Sequence, residues 1–151
     1  MPPDTGFKLR AEDAEDLAVL SACLQDALVS VGDLAYDPGH GTFMLVANRF
    51  CWEARRGDAG EPALQRSLCA IAFGAVERVA YRGFRRRGED RILSLLAIRP
   101  TPVHGATLID LEFSGGAAIR LTAARIRCQA SDLGEPWPTM WQPDHPADEL
   151  R

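Results

Sequence analysis

From Asp33 onward the apolar residues of this chain recur every second position, and only residues 126–133 would also fit a helical period. A run of alternating segments joined by turns, with no helical crossover between them, restricts the chain to an antiparallel sheet. The pattern predicts strands over residues 34–36, 42–53, 65–73, 76–84, 92–98, 107–113 and 118–121. Residues 126–130 read as a continuation of the sheet.

Turn chemistry marks the breaks. Asp37-Pro38-Gly39-His40-Gly41 ends the first of these strands, and Gly74 predicts a bend between the third and fourth. Pro100 and Pro102 are expected to stop the strand that begins at Ile92. Ser114-Gly115-Gly116-Ala117, between two alternating runs, predicts a tight hairpin.

Ahead of the sheet lies one amphipathic helix. Asp13 has the side chain of an N-cap, and Glu15 and Asp16 put negative charge at the positive end of the helix dipole. Leu17, Leu20, Leu24, Ala27, Leu28 and Val31 make one apolar stripe, and Gly32 is expected to stop it. Phe7 and Leu9 alternate with Lys8 and Arg10, as in a short leading strand. The expected fold is α+β: one N-terminal amphipathic helix on a curved antiparallel meander of about seven strands, tending towards a half-barrel. Residues 7–135 form one domain in this reading, with a Pro- and Trp-rich tail, 136–151, packing on it, and the chain from Asp132 to Arg151 is expected to be irregular.

At 151 residues, such a chain buries roughly two-thirds of its unfolded surface and needs no disulfide or metal to fold. Its net charge of −4 argues against binding nucleic acid or an anionic membrane through phosphate neutralisation. Sixteen of its seventeen basic residues are Arg, a bias that lowers the weight of any single Arg-rich patch. No apolar stretch approaches the ~20 residues of a membrane span. The start lacks the basic-then-apolar order of a secretory signal, and Cys23, Cys51, Cys69 and Cys128 are scattered. Small core thiols in a reducing cytoplasm are the reading that follows.

No familiar catalytic or nucleotide-binding motif is present, and His40, His104 and His145 all fall in loops away from metal-ligand spacing. No catalytic residue, metal or cofactor is therefore expected. Asp110 and Glu112 alternate with Ile109, Leu111 and Phe113, as on a solvated sheet face rather than in a hydrolytic dyad.

Three sets of residues remain as candidate sites. In the strand 42–53, Asn48 sits on an apolar face with Phe50 and Trp52, while Arg49 and Glu53 end the opposite face. Asn48 and Arg49 either anchor an anionic ligand or serve a backbone bend and a surface ion pair. On the helix, Val19, Cys23 and Asp26 share the side away from the leucine stripe, where a partner or the tail would cover them. In the tail, Trp137 and Trp141 serve either as an intramolecular latch or as a recognition segment. The basic run between Arg82 and Arg91 is a weaker option for RNA, since Glu89 and Asp90 interrupt it.

The blocks EDLAVLSACLQDALVSVGDLAY, FMLVANRFCWE, ILSLLAI, FSGGAAIRL and ASDLGEPW, in this order, resemble a family of short alphaproteobacterial proteins with a domain of unknown function. The resemblance runs from about Leu9 to His145 and implies a bacterial cytoplasmic protein. It brings no activity, cofactor or catalytic residue with it. The reading that follows is a non-enzymatic binding or adaptor domain, acting through protein contact or homo-oligomerisation. A small enzyme or ligand-binding domain holding an anionic molecule at Asn48 and Arg49 is the alternative.

Overall fold

A computed structural model describes residues 8–50, 65–85 and 90–138, with side chains described as far as residue 134. Ten strands and one α-helix are present among them: β1 (Lys8–Ala11), α1 (Ala14–Cys23), β2 (Leu28–Ser30), β3 (Ala35–Asp37), β4 (Thr42–Phe50), β5 (Gln65–Phe73), β6 (Val76–Arg82), β7 (Ile92–Val103), β8 (Ala106–Phe113), β9 (Ala118–Ala123) and β10 (Cys128–Pro138). The expected antiparallel sheet with one helix is what forms. It has ten strands rather than seven, is not a simple meander, and remains open.

The strand order is β1-β10-β5-β4-β2-β7-β8-β9-β6, with β3 also pairing β4 beyond the end of β2. Consecutive β5 and β6 do not pair, because the chain turns a corner at Gly74 and Ala75 and carries β6 to the far edge beside β9. Ala75 holds a left-handed φ of 57°, which makes the corner sharp. The sheet nevertheless bends back on itself. Val76 donates its backbone N–H to Gly41, just ahead of β4, and Tyr36 on β3 donates its hydroxyl to Val76.

Helix α1 starts where its sequence says it should. The Asp13 carboxylate accepts from the Asp16 backbone at 2.8 Å, and Asp16 accepts in return from Glu12 at 3.1 Å. Its end is different: the helix closes after Cys23, eight residues short of the expected stop. Asp26 adopts φ 69°, a left-handed conformation that Asp tolerates and that a helix cannot continue through. The next residues then join the sheet, with Asp26 donating to Leu95 and Leu95 to Ala27. Leu28–Ser30 becomes β2, the strand that joins β4 to β7.

Two further expectations fail for related reasons. Strand β7 runs through both prolines to Val103, pairing Pro100 with Ile109 and Pro102 with Thr107. Being two residues apart, both ring nitrogens face away from β8, on a side of β7 that β2 does not reach, so no ladder bond is lost. Strand β10 continues past Asp132, where an irregular tail was expected. Gly134, at φ 71°, takes up a bulge between Leu133 and Trp137, and the ladder resumes with Trp137 opposite Arg66.

The core lies on the inner face of the curved sheet. Leu17, Leu20 and Leu24 of α1 are buried with Phe43 and Leu45 of β4, Ile71 and Phe73 of β5, Leu95 of β7, Ile109 and Leu111 of β8, and Ile119 and Leu121 of β9. The helix packs on β7 and β1. Ser21 in its last turn accepts from the backbone N–H of Ile98, just past the bulge in β7. Cys69 and Cys128 are buried free thiols and Cys23 is half-buried, in keeping with the packing role expected of them. Among the described residues, no helix is long and apolar enough to cross a membrane.

Candidate functional site

Strand alternation sends Phe43, Leu45, Ala47 and Arg49 to the inner face of β4. Arg49 was expected where that face meets water. Instead its side chain is 1 % exposed. Its Nε donates to Asp132 Oδ1 and one terminal nitrogen to Oδ2, both at 2.9 Å, in a fork geometry that matches a carboxylate. Asp132 lies on β10, so the guanidinium reaches across β5, passing the level of buried Ser67 and Cys69. The pair ties the two outer strands of a three-strand unit from inside the core.

The setting shifts the nearby thiols. Burial, reinforced by the Asp132 charge, pushes Cys69 up to about 12, while Arg49 pulls the other way. Burial likewise pushes Cys128 up to about 12. Neither thiol is a nucleophile near neutral pH.

Asn48 points to the outer face and is held structurally. Arg66, opposite Phe50 on β5, donates Nε to Asn48 Oδ1 at 2.6 Å and a terminal nitrogen to the Asn48 carbonyl at 2.9 Å. The Arg66 guanidinium also sits 6.0 Å from the centre of the Phe50 ring. Asn48 and Arg49 therefore belong to two arrangements on opposite sides of the sheet, not to one binding cleft.

The helix candidates do not assemble either. Val19 is 52 % exposed and Cys23 half-buried, whereas Asp26 is buried beyond the end of the helix. Trp137 lies on β10, while Trp141, Trp52, Cys51 and Glu53 fall outside the described residues, as do residues 86–89 of the basic run. His40 is exposed and bonded to Asp37 at 2.8 Å, which lowers the Asp37 pKa. No group of three His, Cys, Asp or Glu side chains among the described residues is placed to hold a metal ion.

What sequence reasoning passed over is the outer face of β4, β5 and β10. Met44, Ala72 and Gln129 lie side by side there, as do Val46, Ala70 and Ser131, and then Asn48, Leu68 and Leu133. Met44 is 46 %, Leu68 39 % and Leu133 46 % exposed. The two alanines floor a shallow depression of about 330 Å³ edged by Met44, Val46 and Asp33. The outer faces of β8 and β9 differ in character, although β7 beside them also exposes Ile92, Leu96 and Val103. Arg120 forks onto Asp110 at 2.8 and 3.0 Å, and Arg99 bonds Glu112 at 2.9 Å, all at the surface. That half is the solvated face expected from Asp110 and Glu112. The sequence signal for the apolar half was present, since residues 43–47 are apolar at both parities. Apolar at both parities, that stretch predicts a strand covered on both faces, and the structure instead leaves Met44 of the outer face exposed.

No curated protein and no solved structure matches the chain. A family model does, over residues 7–145, with the same blocks in its span. By that match the chain belongs to the family described as protein of unknown function DUF2948.

Proposed function

We propose that this is a non-enzymatic binding domain that works through protein contact, and that its contact surface is the outer face of β4, β5 and β10. One observation carries the reading: Met44, Leu68 and Leu133 stand exposed around the Ala70–Ala72 depression on β4, β5 and β10, whereas β8 and β9 meet solvent through the Arg99–Glu112 and Arg120–Asp110 pairs and the exposed apolar residues of the other half, Ile92, Leu96 and Val103, are strung along β7 alone. Contiguous exposed apolar surface rimmed by polar residues is unusual on a monomer and marks contact sites. Asn48 and Arg49 support a ligand site less well, because the Arg49 charge is met inside the core by Asp132.

The test is a photo-crosslinking amino acid placed in the full chain, in the cells it comes from. One version carries it at Ala70 in the apolar face, the other at Thr122 on the outer face of β9. Adducts are expected at position 70 and not at 122. Equal labelling at both positions, or none at 70, overturns the proposal.

A further inference from the structure

We infer that the occupant of this face is a second copy of the same chain, packed sheet against sheet about a two-fold axis. The inference rests on the proposed contact surface and adds the identity of the partner. It comes from how charge is laid out on either side of the apolar strip. Beyond β10, strand β1 carries Lys8 opposite Ser131 and Arg10 opposite Gln129, both exposed on the outer face. Beyond β4 on the other side lie exposed Asp33 and Asp37, the latter opposite Thr42 on β3. Arg10 therefore makes one flank basic and Asp33 makes the other acidic, Asp37 being engaged with His40, and the strip between them exposes Met44, Leu68 and Leu133 among Gln129, Ser131 and Asn48.

A two-fold axis parallel to the strands lays the β1 flank of each copy over the β3 flank of the other. Both pairs of flanks then meet with opposite charge, and apolar strip meets apolar strip. An axis across the strands would set like charge on like charge, which disfavours that arrangement. An isologous contact requires one patch to be complementary to itself, and this arrangement satisfies that condition. Ala70 and Ala72 at the centre leave room for two sheets to approach to the ~10 Å spacing of face-packed sheets.

Sedimentation equilibrium of the full chain from about 1 to 200 µM tests this. The expected result is a reversible dimer. Ala70→Glu should raise its dissociation constant at least about 100-fold by burying a carboxylate in the apolar contact. A circular dichroism melt must show that this variant keeps the parent's fold. Arg10→Glu should weaken the dimer about 10-fold, and adding Asp33→Arg should restore it, since the two charges meet across the axis. A wild-type chain that stays monomeric at 200 µM overturns the inference. So does a dimer indifferent to a folded Ala70→Glu, or a charge reversal that the second substitution does not rescue. The mass of the adduct crosslinked at position 70 separates the two proposals. Twice the chain mass supports both; another mass overturns the second copy and leaves protein contact standing; no adduct removes both.

Discussion

Asp132→Asn isolates the electrostatic role of the buried pair, because it removes the charge while leaving the volume almost unchanged. In the native protein both side chains are at most 2 % exposed, so water cannot take the place of the Asp132 charge beside the Arg49 guanidinium. Breaking a buried pair by removing one partner costs about 3–5 kcal/mol. Against a total stability of about 5–15 kcal/mol for a domain, that is a large fraction. With a urea slope of about 2 kcal/mol per molar, the unfolding midpoint should fall by roughly 2 M at unchanged slope. Arg49→Met combined with Asp132→Leu should recover most of the loss, because two apolar side chains of similar length bury without a charge to desolvate. Equilibrium urea unfolding followed by fluorescence reads the parent, Asp132→Asn, the double variant and its two components Arg49→Met and Asp132→Leu. If Asp132→Asn moves the midpoint by less than about 0.3 M, or the double variant loses the sum of the two single losses, the pair is not the sealed, coupled unit described above.

Two other expectations concern backbone and thiols. Gly83→Ala should cost at least about 2 kcal/mol, since an added Cβ at φ +84° would stand 2.9 Å from Ala117 Cα and the Gly116 carbonyl. Gly105→Ala, at φ +78° with nothing within 4 Å, should cost only the left-handed strain of about 1 kcal/mol, and similar urea midpoints for the two would refute the steric argument. Cys69 and Cys128, pushed up to about 12 by burial, favour the protonated thiol in the folded state, so their stabilising contribution is whole below the unfolded thiol value of about 8.5 and is lost as pH climbs from there towards 12. Melts from pH 8 to 11 should show Cys69→Ala/Cys128→Ala losing less stability with rising pH than the parent, and parallel slopes would count against it.

Much of the architecture was legible in the residues because it rests on local rules. The Asp13 cap, the Gln65–Phe73 strand and the Ser114–Gly116 hairpin turn are each decided by neighbours a few positions away. Alternation alone announced an antiparallel sheet, and the scattered thiols announced core packing. The misreadings share one cause, which is that a strand partner far away in the chain decided between two locally acceptable states. Leu24, Ala27, Leu28 and Val31 suit a helix or a strand, and the bonds that Leu95 accepts from Asp26 and donates to Ala27 settle it for β2. Pro100 and Pro102 end a central strand but not one whose second edge is open.

The candidate site divides along the same line. That residues 42–50 are strand, and that Asn48 and Arg49 face opposite ways, follows from period two alone. Which side is core does not, since both parities between residues 43 and 47 are apolar. Only the tertiary structure buries Arg49 and supplies Asp132, 83 residues away on β10, as a counter-charge. On the outer face Met44, Leu68 and Leu133 stay exposed among the described residues, because α1, the one described α-helix, packs on the inner side.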